Sequence, residues 1–167
     1  MTTDLKKFKE EDISRIAQLV NKTNQFNLTA RRLSLKEITD ISKSSNFLTI
    51  SGNLKDKFGD NGLVTVFIGK IKKQTIDVAV WLMSCRVFNR NLEFALFDYL
   101  INLCKSKGIS TIHGYYIKSE KNLVVKDFYK TLGFKKVKSQ KNEDKWEFKI
   151  TKKYIKKNKI IKITNEK

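Results

Sequence analysis

Apolar residues along this chain recur at two spacings, and the switches between them mark out its elements. Leu5–Lys9 reads as a short first strand. Ile13, Ile16, Ala17 and Val20 then fall at i, i+3, i+4 and i+7, the spacing of a helix with one buried face. Polar Asn21–Asn27 breaks that pattern, and Ser34-Leu35-Lys36-Glu37 matches a capping box that opens a second helix through about Ser42. Three strands follow. They are Phe47–Ser51, then Leu63–Ile71 after a predicted turn at Gly59-Asp60-Asn61-Gly62, then Ile76–Cys85 after polar Lys72-Lys73-Gln74. In the last of these, Ile76, Val78, Val80 and Leu82 share one face, while Ala79, Trp81, Met83 and Cys85 share the other. A strand apolar on both faces belongs in the middle of a sheet covered on both sides.

Asn91–Lys107 predicts a largely buried helix. One of its stripes is Leu92, Leu96, Tyr99, Leu100 and Leu103; the other is Phe94, Phe97, Ile101 and Cys104, with Gly108 as the stop. Thr111–Ile117 is a fifth strand. Asn122–Leu132 reads as a helix closed by Gly133, and Phe134–Ser139 with Trp146–Thr151 as a closing hairpin. The expected architecture is one α/β domain over residues 1–151, in the order β-α-α-β-β-β-α-β-α-β-β. The lysine-rich tail, 152–167, frays or extends the last strand.

Composition narrows the class. The chain has 167 residues, 40% of them hydrophobic, which suits a globular domain rather than disorder. No apolar run approaches the roughly 20 residues that span a bilayer. Cys85 and Cys104 lack metal-ligand spacing and read as reduced, buried thiols of a cytoplasmic protein, with no metal site expected. The formal charge is +18. It reads either as a solvated lysine surface or as attraction for an acidic partner: a polyphosphate cofactor, an acidic carrier protein or nucleic acid. Lysine dominates over arginine, and no nucleic-acid-binding motif is present, so charge alone prompts that last class.

Two motifs carry chemistry. Arg86-Val87-Phe88-Asn89-Arg90-Asn91 joins the fourth strand to the following helix, a turn that can offer backbone N–H groups to a pyrophosphate. Asn122 to Phe134, NLVVKDFYKTLGF, keeps an N-x6-Y-x3-G-F ending. Together these resemble the cofactor half of the GNAT N-acetyltransferase family, whose fold has the element order given above. The resemblance implies coenzyme A or acetyl-CoA held at Arg86, Val87, Asn89, Arg90, Asn91 and Asn122, with the pantetheine arm along the backbone of Met83 and Cys85. It implies Tyr129 as the acid that protonates the departing thiolate. The family has glycine where this chain has Asn89 and Asn91; asparagine is the best other residue for positive φ, though its side chain takes space.

Competing readings accompany these residues. Tyr129 beside Phe128 also fits a core residue with its hydroxyl bonded to backbone. Asp77 could act as a base through water, or be a solvated sheet-end carboxylate. His113 reads as a base or as a satisfied core imidazole. Asn24-Gln25-Phe26-Asn27, between the first two helices, is where acceptors or partners enter in that fold.

A narrower resemblance covers Arg15–Thr29, Arg31-Arg32, Phe58–Val64 and Ser84–Val87, which are similar to the C-terminal domain of FkbH-like proteins. It implies handling of a phosphopantetheine thioester for polyketide or surface-glycan synthesis, with an acyl carrier protein and a HAD-type phosphatase as partners. The phosphatase signature D-x-D-x-T/V is absent, so that half is expected elsewhere. The alternatives to an acyltransferase are a non-catalytic module that binds a carrier protein and, from charge alone, a nucleic-acid-binding protein.

Overall fold

A computed structural model describes residues 1–165. The strands are β1 (Thr2–Thr3), β2 (Leu5–Lys6), β3 (Phe47–Asp56), β4 (Gly59–Lys72), β5 (Thr75–Met83), β6 (Thr111–Ile117), β7 (Lys135–Ser139), β8 (Glu143–Lys149) and β9 (Lys162–Ile163). The helices are α1 (Ile13–Lys22), α2 (Leu35–Lys43), α3 (Leu92–Ser106) and α4 (Phe128–Thr131). The strands form one mixed sheet, β7-β8-β6-β5-β4-β3-β1-β9, with β2 also on β3. Only β5–β6 and β1–β9 run parallel. Among the described residues no helix is long and apolar enough to cross a membrane.

One face of the sheet carries α3 and α4 over a core that includes Trp81, Phe97, Phe128, Tyr129 and Phe134. The other carries α1 and α2 through Ile16, Leu19, Val20 and Ile38, packed on Val66, Ile68, Val80 and Leu82. The capping box of α2 forms as the sequence implies: Ser34 Oγ accepts from the Glu37 amide, and Glu37 Oε2 accepts from the Ser34 amide. Gly108 closes the end of α3 at φ +68°.

Several expectations are corrected. The first strand is two short pieces ending at Lys6 rather than Lys9. Gly59–Gly62 is not the turn but the start of β4, paired back to Asp56–Asn53 with register shifts. The turn falls at Lys57-Phe58, where Asp56 Oδ1 accepts the Phe58 amide. Glycines that signal a turn also serve bulges, and here they serve the second.

On β5 the face assignment changes midway. Ile68 pairs with Val80 but Gly69 pairs with Val78, so Ala79 is an extra residue. Side chains before and after such a bulge swap faces. Val78 and Trp81 therefore point to the α3 side, and Val80 and Leu82 to the α1 side. Asn122–Leu132 is not one helix: a 3-10 turn, Leu123–Val125, precedes the short α4.

The tail does not extend β8. Buried Asp98 on α3 accepts from the Tyr154 hydroxyl (2.5 Å), the Lys157 amide (3.0 Å) and the Asn158 amide (2.9 Å). The chain then reaches the opposite edge of the sheet, where Lys162 and Ile163 pair with Thr2 and Thr3. The last two residues of the predicted tail lie outside the described residues.

Candidate functional site

The parallel ladder between β5 and β6 pairs only Thr75, Ile76 and Asp77 with Thr111, Ile112 and His113. Beyond Asp77 the strands part, and the edge of β5 from Ala79 to Met83 is left without a strand partner on that side. A pantetheine arm would add to such an edge as an extra strand. The connector between α1 and α2 already does so. The Met83 amide donates to Phe26 O (3.0 Å), the Leu28 amide donates to Trp81 O (3.1 Å), and Thr29 Oγ1 donates to Ala79 O (2.7 Å). On the far side the Ile117 amide donates to Leu28 O (2.8 Å). Phe26–Thr29 is thus a strap set between the parted strands.

Asn122 and Asn27 hold that strap. Fully buried Asn122 donates to Asn27 O and Ile117 O (both 2.9 Å) and accepts from the Ser119 amide (2.8 Å). Asn27, also fully buried, donates to Thr23 O (3.1 Å) and accepts from the Ala30 amide (3.1 Å), with Ala30 at φ +52°. These bonds account for the polar atoms of both side chains. Asn122 accordingly faces protein rather than the predicted cofactor site.

Ser84, Cys85, Arg86 and Val87 form a 3-10 turn after β5, in which Ser84 Oγ accepts the Arg86 amide. Asn89 (φ +59°) and Asn91 (φ +63°) both adopt the left-handed backbone expected where the related pattern has glycine. Asn91 caps α3 without a side-chain hydrogen bond; in the first turn the Phe94 amide donates to Asn91 O (3.2 Å) and the Glu93 carboxyl meets its own amide. Two features work against a polyphosphate there. Arg90 is engaged with Asp56, Nη1 to Oδ2 at 2.5 Å. Glu93 sits in the first turn of α3, and burial raises its carboxyl above the ordinary range. Neither Asp56 nor Glu93 was singled out from sequence, because a partner 34 positions away and a half-buried carboxylate have no local signature.

Tyr129 is fully buried. Its hydroxyl donates to Tyr115 O (3.1 Å) and accepts from the Tyr115 amide (3.2 Å), both groups of β6 that the parted ladder leaves unpaired. Burial pushes its phenol far above the usual range. Gly114 makes this possible, since a β-carbon there would stand 2.3 Å from the Tyr129 ring.

Asp77 lies at the vertex of the splay. Its Oδ1 is 3.1 Å from His113 Nδ1 and its Oδ2 is 3.0 Å from Lys72 Nζ; His113 Nε2 is 3.2 Å from Glu147 Oε2. Six residues of strand separate Asp77 from Met83, about 20 Å. The fold therefore gathers Met83, Cys85, Arg86, Asn24, Gln25 and Phe26, and leaves Asp77 and Tyr129 apart from them.

Two hollows meet at Phe26, Met83 and Phe88. One, of about 360 Å³, lies between Asn89, Glu93 and the Leu123–Phe128 segment. The other, of about 780 Å³, lies between α1, Thr23–Phe26 and the Met83–Arg86 turn. The Phe26 ring stands between them, 5.0 Å from the Phe128 ring and 5.8 Å from that of Phe88, centroid to centroid.

No family model matches the chain, and no curated protein matches its sequence. Solved structures do. The PaiA N-acetyltransferase from Thermoplasma acidophilum in complex with coenzyme A is similar at TM-score 0.68 and 18% identity, over 90% of this chain and 100% of that one. The ribosomal-protein-S18-alanine N-acetyltransferase from Escherichia coli is similar at TM-score 0.64 and 14% identity, over 87% and 91%. An acetyltransferase of the GNAT family from Streptococcus pneumoniae gives 0.67 and 15%, over 89% and 99%. At these identities the likeness is one of fold, and the chain has the GNAT acetyltransferase fold.

Proposed function

We propose that this chain is a GNAT-type acyltransferase, taking its acyl group from a phosphopantetheine thioester of coenzyme A or of a carrier protein. The observation that carries this reading is the meeting of the two hollows at Phe26, Met83 and Phe88, at the open end of the parted ladder. A thioester arriving along the Asn89–Glu93 side and an acceptor arriving along the α1 side would face each other there. In such a transfer the acceptor's bond to the carbonyl carbon forms as the C–S bond breaks, and the site contributes chiefly by holding the two together. The left-handed Asn89 and Asn91 support the same reading, because they keep the backbone path of a phosphate-holding turn.

The strap sets the cost of binding. An arm running along β5 would take over the two backbone bonds that Phe26 and Leu28 make to it. That exchange is near neutral, at about 1 kcal/mol per bond lost and regained. Exposing the Phe26 ring would cost roughly 1.5–3 kcal/mol, which weakens apparent affinity by about 10- to 150-fold. Calorimetry with coenzyme A and acetyl-CoA tests the proposal: binding that strengthens in Phe26→Ala supports it, and no heat at millimolar ligand in either protein, with no acyl transfer from an acyl carrier protein, removes it.

A second reading is a non-catalytic carrier-protein module, favoured by Glu93 beside the α3 N-terminus, where a pyrophosphate would meet like charge. A carrier-borne arm brings a single phosphate, and the +18 surface would steer an acidic partner. Salt-sensitive binding of a holo carrier protein without coenzyme A binding would select it. The carrier, a HAD-type phosphatase partner and a role in polyketide or surface-glycan synthesis rest on the sequence resemblance over Arg15–Thr29, Arg31-Arg32, Phe58–Val64 and Ser84–Val87, and a cytoplasmic setting rests on the unpatterned cysteines.

A further inference from the structure

We propose that the larger hollow binds a small anion with an apolar body, a carboxylate or phosphate ester that also carries an amine or hydroxyl, and that this is the acceptor class of the reaction proposed above, on which this step rests: its N or O bonds to the acyl carbon as the C–S bond breaks, and its proton leaves with the pantetheine thiol. Its charged lining is Arg15, Lys22, Arg86 and Lys121, with no acidic residue, while Leu19, Phe26, Met83 and Phe88 supply apolar surface.

The two hollows differ in the sign of their charge. The smaller one, on the side expected for phosphates, has Glu93 and Asp127 against Lys126. The sign is thus reversed, with the positive field gathered on the α1 side. None of the four cations is in an ion pair among the described residues, whereas Arg90, in the turn beside the hollow, is paired with Asp56. Two of the chain's arginines are also held in place. Arg15 donates to Gln18 Oε1 and to Leu63 O (3.5 Å), and Arg86 Nε lies 3.5 Å from Ser84 Oγ. A guanidinium held by neutral acceptors keeps its full charge for a ligand, and apolar walls strengthen its pull. At about 780 Å³ the hollow has room for a metabolite-sized molecule.

Cys85 makes this testable without any assay of turnover. Against the burial expected of both thiols, it is exposed on the wall of the hollow, because the turn after β5 carries it out of the sheet; Cys104 is buried, its thiol pushed up to about 12. Neutral iodoacetamide therefore reports on Cys85 alone. Phenyl phosphate, an aromatic dianion, should slow alkylation of Cys85 in the full chain. Neutral benzyl alcohol should not, and added salt should weaken the protection. Arg15→Gln with Arg86→Gln should weaken protection by about tenfold. Lys22→Gln with Lys121→Gln repeats the test if the first pair unfolds, and Lys36→Gln on exposed α2 should change nothing. Absent protection, equal protection by benzyl alcohol, or protection unchanged in the folded double variants would overturn the proposal. Coenzyme A calorimetry separates the two ideas. Phenyl phosphate binding with neither coenzyme A binding nor transfer from an acyl carrier protein leaves an anion site and removes acyl transfer; the reverse removes only the anion site.

Discussion

Replacing Tyr129 by Phe removes one oxygen, and the fold says what that oxygen does. Both the N–H and the C=O of Tyr115 are satisfied by the Tyr129 hydroxyl, at 3.2 and 3.1 Å, from a fully buried ring. Their ladder partners are gone because β5 has diverged from β6. Leaving a buried donor and a buried acceptor unmade costs about 1–3 kcal/mol each, with the carbonyl at the lower end. The expected destabilisation is about 2–4 kcal/mol, a fall in melting temperature of roughly 5–15 °C for a chain of this size. Urea unfolding followed by circular dichroism measures it as a lower midpoint at unchanged slope. Tyr115→Phe, which alters a phenol and no backbone group, is the control. If Tyr129→Phe unfolds within about 0.5 kcal/mol of the parent, the two backbone groups have found other partners and the structural assignment fails. A Tyr129 that served only as a catalytic acid would show that behaviour, with stability kept and turnover lost.

Other expectations follow from the same geometry. Glu93 has a folded-state pKa raised above 4.5 by burial, so its ionised form opposes folding at neutral pH. Glu93→Gln should be more stable than the parent at pH 7, the gap closing as pH falls through the raised value towards 4.5. A gap independent of pH, or a less stable variant, would contradict this. The same change should tighten coenzyme A binding in calorimetry by removing a like charge. At Asn91, φ +63° predicts that Asn91→Ala costs about 1 kcal/mol while Asn91→Gly is neutral or stabilising, read from denaturant midpoints. Paired Asn89→Gly and Asn91→Gly should also strengthen coenzyme A binding, because two side chains leave the turn.

Much of the scaffold could be read locally. The capping box at Ser34 and Glu37, the stop at Gly108, and the strand Thr111–Ile117 each depend on neighbours a few residues away. The left-handed turn was legible too, because asparagine at two glycine positions carries a backbone preference of its own. Features set by distant contacts were not. Ala79 becomes a bulge only because β4 takes Gly69 and Ile68 as partners for Val78 and Val80, and alternation alone then misassigns half of β5. Asn21–Asn27 reads as a polar break between helices, yet Phe26–Thr29 is recruited as a strap because the parted ladder leaves amides and carbonyls that must be paired. The lysine-rich tail shows no strand pattern, and its path depends on Asp98, some 60 positions away.

The order and type of the elements, and the turn that can hold a phosphate, are properties of the residues in sequence, since spacing and backbone preference act over one or two turns of chain. Whether that turn opens onto an empty slot is a property of the assembled molecule. It depends on a segment more than fifty residues earlier pairing with β5, and on which charges the fold turns towards each side of Phe26.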